Sequence, residues 1–435
     1  MSNEQCIMAY AKKRYGLWPG SAIRLLLIIH CTLFVTHYSP AQSVLQSGTW
    51  YKIGVLGTGV YQLDYKTLTS LNPAFGTTDP RRFKLYGNGG APLPQANAAP
   101  RPVDLLENAI QVTGEADGRF DADDVLRFYA QGSQTITRDP ATGRFQHQLN
   151  PYSDTTFYFL TIGPNPGQRI ATRQPGPASG LPAISAFDDY ACYERDTTNL
   201  IGSGRDWLGD YYGTYPQQFV PFQLPGRVAG APVYTTLSAV GASLSPSSFI
   251  VSLNNTVLVN AAFDAISSYR YAPRGSARTV TQQTILPTTP DELRLTLTYD
   301  RQGGSGGVAY LNYVAVQTRR EIRQYNVPKL VRGGRGSYTA RQATNELMIW
   351  DVSNPISPVQ QAYTLTGTQA TWNVADTASF YLHTLRNVGT PTAVYGIQNQ
   401  NLRAEPTPNL LIITPGAWRE QAERLAQFRR TNDKL

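Results

Sequence analysis

The residues most suited to chemistry lie in one acidic segment, TGEADGRFDADD, which runs from Thr113 to Asp124. Written as a twelve-position calcium loop, it places Gly118 at the turn position and four carboxylates at positions 3, 5, 9 and 12, namely Glu115, Asp117, Asp121 and Asp124. Calcium prefers about six to eight oxygen ligands from flexible loops of this kind. Position 1 is Thr rather than Asp, so a polar turn whose Asp side chains bond their own backbone is the alternative.

A cysteine nucleophile with a histidine base is the second candidate, formed by Cys192 with either His147 or His383. A thiolate nucleophile needs a base within hydrogen-bonding reach and an oxyanion hole, and no local pattern predicts either. Cys192 lies between tyrosines in a strand-like run, where a lone cysteine is usually a small core residue. The sequence therefore predicts no catalytic residue.

The glycines Gly54, Gly57 and Gly59 are spaced somewhat like a nucleotide-binding loop. That motif requires a helix directly after the glycines. Here the alternating run from Val60 to Leu63 comes first, so we predict a hairpin turn instead. No zinc spacing, P-loop, GxSxG pattern or pair of carboxylates stands out elsewhere.

Positive charge is concentrated between Arg319 and Arg341, where seven basic residues accompany one acidic residue, in a chain of net charge +8. In a cytosolic protein this run would suggest nucleic acid. In an exported protein it would meet anionic polysaccharide or lipopolysaccharide instead, so nucleic acid is not predicted as a partner. A solvated strand-and-loop face is the simpler interpretation.

The N-terminus has the features of a secretory leader. Four basic residues precede an apolar run from Leu25 to Val35, and the small residues Ser39-Pro40-Ala41 follow. We predict a signal peptide over residues 1–41, with a retained signal anchor as the alternative. Removal of the leader takes away Cys6 and Cys31, so the mature chain has no internal disulfide.

Composition predicts a mainly β fold, because 30 Pro, 37 Gly and 26 Tyr accompany only 16% charged residues. The predicted domains after the leader are a first β-rich domain at 42–165, a β-sandwich domain at 166–330, a further β-rich segment at 331–406 and a short unit at 407–435. Within the second domain, strands over Phe249–Leu253 and Thr256–Val259 flank the turn residues Asn254 and Asn255. Near the start, Asp64 is predicted to cap a short helix.

The short unit at 407–435 combines an apolar run with an amphipathic segment. Leu410 to Ile413 is typical of a strand buried on both faces. Thr414 and Pro415 then predict the start of a helix that carries Trp418 and Leu425. One strand and one helix cannot bury each other, so the unit needs further parallel strands.

Five unusual strings occur in order: GEADGRFDADDVLRFYAQG (114–132), FQHQLNPYSDTTFYFLTIG (145–163), DYACYERDTTNLIGSGRDWLGDYY (189–212), IWDVSNPISP (349–358) and VYGIQNQNLRAEPTPNLLIITPGAWREQAERLAQFRR (394–430). Together they resemble the N-terminal part of the type IX secretion sortases, cysteine peptidases of the gingipain family. The resemblance implies β-rich domains ahead of a caspase-like α/β peptidase domain, whose first strand and helix match the chain from about Pro408. The family's catalytic His and Cys would then lie beyond Leu435.

The resemblance also implies a setting. These sortases act at the bacterial outer membrane, where they remove the C-terminal signal of secreted cargo and join the new carboxyl end to anionic lipopolysaccharide. The implied partners are therefore outer-membrane components of the secretion system, cargo C-terminal signal domains and lipopolysaccharide. Our first hypothesis is a truncated sortase without peptidase activity of its own. The alternative is a stand-alone exported β-sandwich module that binds polysaccharide or cargo, with calcium as an optional structural ion in either case.

Overall fold

The structure is a computed structural model that describes residues 42–177, 179–202, 204 and 206–434. The predicted signal peptide, with Cys6 and Cys31, lies outside the described residues. The main compact unit spans Thr49–Gln398, and a smaller one combines the chain up to Gly48 with Asn399–Leu435. The mainly β fold predicted from the sequence is confirmed.

The first third of the main unit contains nine strands and one helix, α1 (Tyr65–Leu71). The strands are β1 (Trp50–Val55), β2 (Gly59–Asp64), β3 (Phe83–Tyr86), β4 (Glu107–Asn108), β5 (Ile110–Val112), β6 (Val125–Ala130), β7 (Thr135–Arg138), β8 (Phe145–Gln148) and β9 (Thr156–Ile162). The predicted cap of α1 is present, since Asp64 accepts a hydrogen bond from the Thr67 backbone N–H at 2.8 Å.

The rest of the main unit is also built from strands. The strands between residues 171 and 321 are β10 (Ala171–Arg173), β11 (Ala183–Ile184), β12 (Ala186–Glu194), β13 (Tyr211–Tyr212), β14 (Gln217–Gln223), β15 (Pro232–Ala242), β16 (Ser247–Leu253), β17 (Thr256–Phe263), β18 (Ser276–Ile285), β19 (Glu292–Asp300) and β20 (Val308–Glu321). The last are β21 (Lys329–Gly333), β22 (Gly336–Ala340), β23 (Met348–Asp351), β24 (Val359–Gln361), β25 (Thr364–Thr366), β26 (Gln369–Val374), β27 (Ala378–His383) and β28 (Ala393–Ile397).

Two sheets with a common core form the N-terminal sheet pair, with strand orders β28-β1-β9-β3-β4 and β2-β6-β5. β1 and β2 belong to different sheets, so the predicted hairpin at Gly57 is wrong. The turn instead passes the chain from one sheet to the other, and the Tyr61 hydroxyl donates to the Gly57 carbonyl at 2.9 Å across it. The local alternation of apolar and polar residues predicts both strands, but it does not predict which other strand pairs with each of them.

The predicted β-sandwich is present and forms the central sandwich, with sheets β12-β20-β15-β18 and β14-β19-β16-β17. Its core contains the inward residues of β19, and Leu293, Leu295 and Leu297 are each 0% exposed. β16 and β17 form the predicted hairpin, with Asn254 in the left-handed region at a φ of 52°. Period-two alternation therefore located this part of the fold correctly.

The third sheet pair has strand orders β10-β24-β23-β27-β21 and β11-β22-β26-β25. Tyr338, Trp372 and Phe380 stack in its core, and each is 0% exposed. β10 and β11 precede the central sandwich in sequence but pair in parallel with β24 and β22. Together with the pairing of β28 and β1, this links the predicted segment 331–406 to both segments before it. The domain limits given above remain predictions.

The smaller unit contains the helix α2 (Arg419–Asn432), and here the sequence prediction fails in two places. Leu410 to Ile413 is irregular and does not form a strand, because no described strand pairs with it. The helix begins after a 3₁₀ turn over Gly416–Trp418 rather than at Pro415, since the Thr414 hydroxyl does not cap it. Ile413 is 87% and Trp418 64% exposed, and no described residue from 399 onward is buried.

None of the helices in the described part of the chain has the length and apolar character needed to cross a membrane.

Two truncations should separate the contributions of the C-terminal segments to stability. Deleting residues 408–435 should shift the Tm of the main transition by less than about 2 °C, because that segment buries no side chain. Deleting residues 393–435 also removes β28 from the side of β1 and should lower the Tm by at least about 5 °C. Differential scanning calorimetry measures both Tm values. An equal decrease in Tm from the two deletions would contradict the assignment of β28, but not of residues 408–435, to the main unit.

Candidate functional site

His147 has partners at both ring nitrogens, and it lies where β8 packs on β12 of the central sandwich. Its Nδ1 is 2.6 Å from the Tyr190 hydroxyl and its Nε2 is 2.6 Å from Glu194 Oε2. The ring also packs edge-on against Tyr313, with centroids 4.6 Å apart. Both ring nitrogens are therefore occupied, and the side chain is only 2% exposed.

Cys192 shares a face of β12 with Tyr190 and Glu194, because residues two apart on a strand point the same way. Its Sγ accepts a hydrogen bond from the Gln134 side-chain amide at 3.2 Å, not from a histidine. Burial raises the pKa of the Cys192 thiol to about 11, so the thiol stays protonated at neutral pH. The arrangement provides no thiolate nucleophile here.

His383, the other candidate base, lies in the third sheet pair. It is 2% exposed and packs against Trp350 and Tyr381, with ring centroids 5.3 Å and 5.7 Å away. Burial lowers the pKa of His383 to about 4, so the ring is neutral at physiological pH. Its environment is that of a core aromatic residue.

The acidic segment forms a tight turn whose carboxylates bond within the protein. Asp124 accepts from the Asp121 backbone N–H at 2.8 Å, and Asp117 accepts from the Arg119 N–H at 2.9 Å. Glu115 accepts from the Arg169 guanidinium at 2.8 Å. Asp117 and Asp124 thus bond the backbone of their own turn, as the polar-turn alternative describes.

Two glycines of this turn adopt positive φ angles that favour glycine. Gly118 adopts a φ of 80°, as its turn position requires, and Gly114 adopts 70°. A Cβ at Gly114 would lie 2.0 Å from Asp124 Oδ1, so the carboxylate packs directly on the backbone. Among the residues described, no group of three or more His, Cys, Asp or Glu side chains is gathered to hold a metal. Calcium stays a prediction that this arrangement does not fit.

The basic run between Arg319 and Arg341 is not a uniformly solvated face, and that prediction is wrong for its central residues. Arg320 is 0% exposed, forms an ion pair with Asp189 and donates to the Pro225 carbonyl at 2.8 Å. Lys329 reaches the same carboxylate at 3.5 Å with its side chain 20% exposed. Long-range pairing with β12 buries these charges, and nothing within the run itself signals it.

Lys329 and Arg332 line a cavity of about 590 Å³ that the sequence did not reveal. Its walls come from the turn after β1, the loop after β3, the segment after β6, β12 and β21. In the sequence, the glycines of those loops were only a weak signal for this cavity, because the fold alone brings the loops together. Polar groups converge both in this cavity and in the His147 cluster.

The state of Cys192 can be tested by alkylation. In the chain from residue 42 it is the single cysteine. At pH 7.5 iodoacetamide should label it at least about 100-fold more slowly in the native protein than in guanidinium, because the thiol is buried and protonated. Mass spectrometry follows the labelling over time. Fast native labelling, or labelling with the kinetics of an activated thiolate, would refute the structural role.

The acidic turn can be tested with two neighbouring variants. Asp124→Ala removes the acceptor of the Asp121 N–H and should destabilise the protein by about 1–3 kcal/mol. Asp123→Ala, at an exposed neighbour, should change stability by less than about 0.5 kcal/mol. Chemical denaturation should give the same result with calcium or with EDTA. If EDTA destabilises only the chain that retains Asp124, the turn binds calcium after all.

Comparison with known proteins supports one statement about the fold. No protein-family model matches the sequence, and no curated protein matches it either. Among solved structures, the chain is similar to dimeric latent PorU from Porphyromonas gingivalis, with a TM-score of 0.76 and 24% sequence identity. The match covers 91% of this chain and 37% of that one.

Two further structures match with scores too low to support an argument. One is the insecticidal δ-endotoxin Cry8Ea1 from Bacillus thuringiensis, with a TM-score of 0.22 and 8% identity, where the match covers 62% of this chain and 52% of that one. The other is a Paenibacillus xanthan lyase, with a TM-score of 0.18 and 12% identity, where the match covers 61% of this chain and 30% of that one. What the comparisons show is a PorU-like fold, over a chain that spans little more than a third of the length of PorU.

Proposed function

We propose that this chain is the N-terminal, β-rich portion of a type IX secretion sortase of the PorU type. Such a sortase is a cysteine endopeptidase and transpeptidase that removes the C-terminal signal of secreted cargo. The observation that supports the proposal is the agreement of fold with PorU over 91% of the chain. The five ordered sequence strings point to the same family from an independent direction.

The proposed role of this portion is structural rather than catalytic. A cysteine peptidase needs a thiolate beside a base, and Cys192 is a protonated thiol bonded to Gln134. His147 has both nitrogens engaged with Tyr190 and Glu194. On this proposal, the described part of the chain supports a peptidase domain and does not itself cut peptide bonds.

The proposal extends to location and partners. The predicted leader at residues 1–41 would export the chain, and the sortase would act at the outer membrane on the cell surface. Its partners would be outer-membrane components of the secretion system, the C-terminal signal domains of cargo and anionic lipopolysaccharide. The support for these statements is the family resemblance.

An activity assay tests the catalytic part of the proposal. The purified chain from residue 42 should not cleave a cargo protein that carries its C-terminal signal, under conditions in which an active type IX secretion sortase does. Cys192→Ala should leave this result unchanged, because the thiol is not activated. Cleavage that depends on Cys192 would contradict the proposal.

The source DNA beyond the Leu435 codon distinguishes the proposal from the stand-alone binding module. A reading frame that continues, in the same or a shifted phase, into a peptidase domain with its His and Cys would support the sortase. A stop codon followed by unrelated sequence would favour the module instead. The cavity at Lys329 and Arg332 is the feature that such a module would use.

A further inference from the structure

The cavity of about 590 Å³ lies where the N-terminal sheet pair, the central sandwich and β21 of the third sheet pair come together. Its size is within the range of about 300–1,000 Å³ that is usual for small-molecule sites. No single element supplies the site, because its wall combines the turn at Gly57, the loops at Gly89 and Gln131, Asp189 of β12 and Lys329 of β21.

Positive charge in this wall exceeds negative charge. Among the described residues, Asp189 is the only carboxylate in the lining, and the buried Arg320, which does not line the cavity, already forms an ion pair with it. Lys329 shares the same carboxylate at 3.5 Å. Arg332, also in the lining, has no carboxylate within 4.0 Å among the described residues and lies 5.3 Å from the centroid of the Phe145 ring. Of the two cations in the wall, Lys329 therefore has an anionic partner and Arg332 does not.

The cations of the cavity wall are poorly solvated. Burial lowers the pKa of Lys329 and the pKa of Arg332, which means that the charged forms lack the stabilisation that water or a full set of anionic partners would provide. An anion bound beside them would relieve this deficit. Arg is well suited to the task, since its planar fork can donate two hydrogen bonds to one carboxylate or phosphate.

The rest of the wall is preformed and largely polar. The loops are held close by glycine: a Cβ at Gly132 would lie 2.7 Å from the Gly57 carbonyl carbon, and one at Gly90 would lie 1.9 Å from Thr156 Oγ1. The lining also includes an amide, a hydroxyl and a phenol that can bond a hydroxylated body, namely those of Gln131, Thr137 and Tyr129. These groups suit a polar small molecule better than an apolar one.

We propose that this cavity binds a small polar anion, with a carboxylate or phosphate group held by the Arg332 guanidinium and a hydroxylated body against Tyr129, Gln131 and Thr137. The ligand is of about the size of a hexose that carries one acidic group. This site is separate from the proposed sortase function and does not depend on it. Both loops that carry the glycines precede Lys329 by more than a hundred residues, so the site exists only in the folded chain.

Isothermal titration calorimetry on the chain from residue 42, in a low-salt buffer without phosphate, tests the site. The probes are inorganic phosphate, glucose 6-phosphate, glucuronate and, as the neutral control, glucose. We expect binding of glucose 6-phosphate, of glucuronate or of both, and none of glucose. Preference between the two anions identifies the acidic group as phosphate or carboxylate, and inorganic phosphate shows whether the acidic group suffices without the body.

Two variants assign the binding to Arg332. Arg332→Gln should weaken anion binding at least about tenfold, since it removes the charge that faces the ligand. Arg335→Gln is the matched control: this residue of the same run is exposed, does not line the cavity and donates to the Gly180 carbonyl at 3.2 Å. It should change affinity less than about twofold.

Two results would overturn the proposal. One is the absence of binding of every anionic probe at about 10 mM, which corresponds to a free energy too small for a built site. The other is an equal loss of affinity in the Arg335 variant, which would indicate non-specific charge attraction. If Arg332→Gln does not fold, Arg332→Lys keeps the charge but not the fork and should still weaken binding of the anion that the unaltered chain binds. Unchanged affinity in that variant also counts against the site.

Discussion

The ion pair between Arg320 and Asp189 is the interaction on which the arrangement of the main unit depends. It joins the end of β20 to the start of β12, and Lys329 of β21 reaches the same carboxylate. Arg320 is 0% exposed, so loss of either partner would leave a buried charge at a cost of about 3–5 kcal/mol. The pair fixes Asp189 within the central sandwich, and the contact of Lys329 with the same carboxylate links β21 of the third sheet pair to it.

The main unit is assembled from pairings between distant segments. β28 returns to β1 across more than three hundred residues, and β10 and β11 complete sheets whose other strands follow the central sandwich. The core residues Val60, Tyr129, Trp350 and Tyr381 further connect the N-terminal and third sheet pairs. Such a chain closes long loops before non-local contacts form, which slows folding relative to a string of independent domains.

The residues with catalytic potential act as structural polar groups in the described part of the chain. His147 bridges a tyrosine and a glutamate, Cys192 is a half-buried thiol bonded to Gln134, and Asp124 closes a turn. Each of these groups has a partner within the protein. Buried polar groups are costly unless they are bonded, so such partners let the fold hold these side chains away from water.

The sequence by itself determined the features that depend on short-range periodicity: the mainly β class, the central sandwich with its hairpin at Asn254 and Asn255, and the helix capped by Asp64. Alternation and capping are local, so they can be read from a few adjacent residues. Only the tertiary structure decided that β1 and β2 separate into two sheets, that Leu410 to Ile413 is not a strand, and that Arg332 lines a cavity. Each of these depends on which distant segment supplies a partner, and local residue patterns carry no information about that choice.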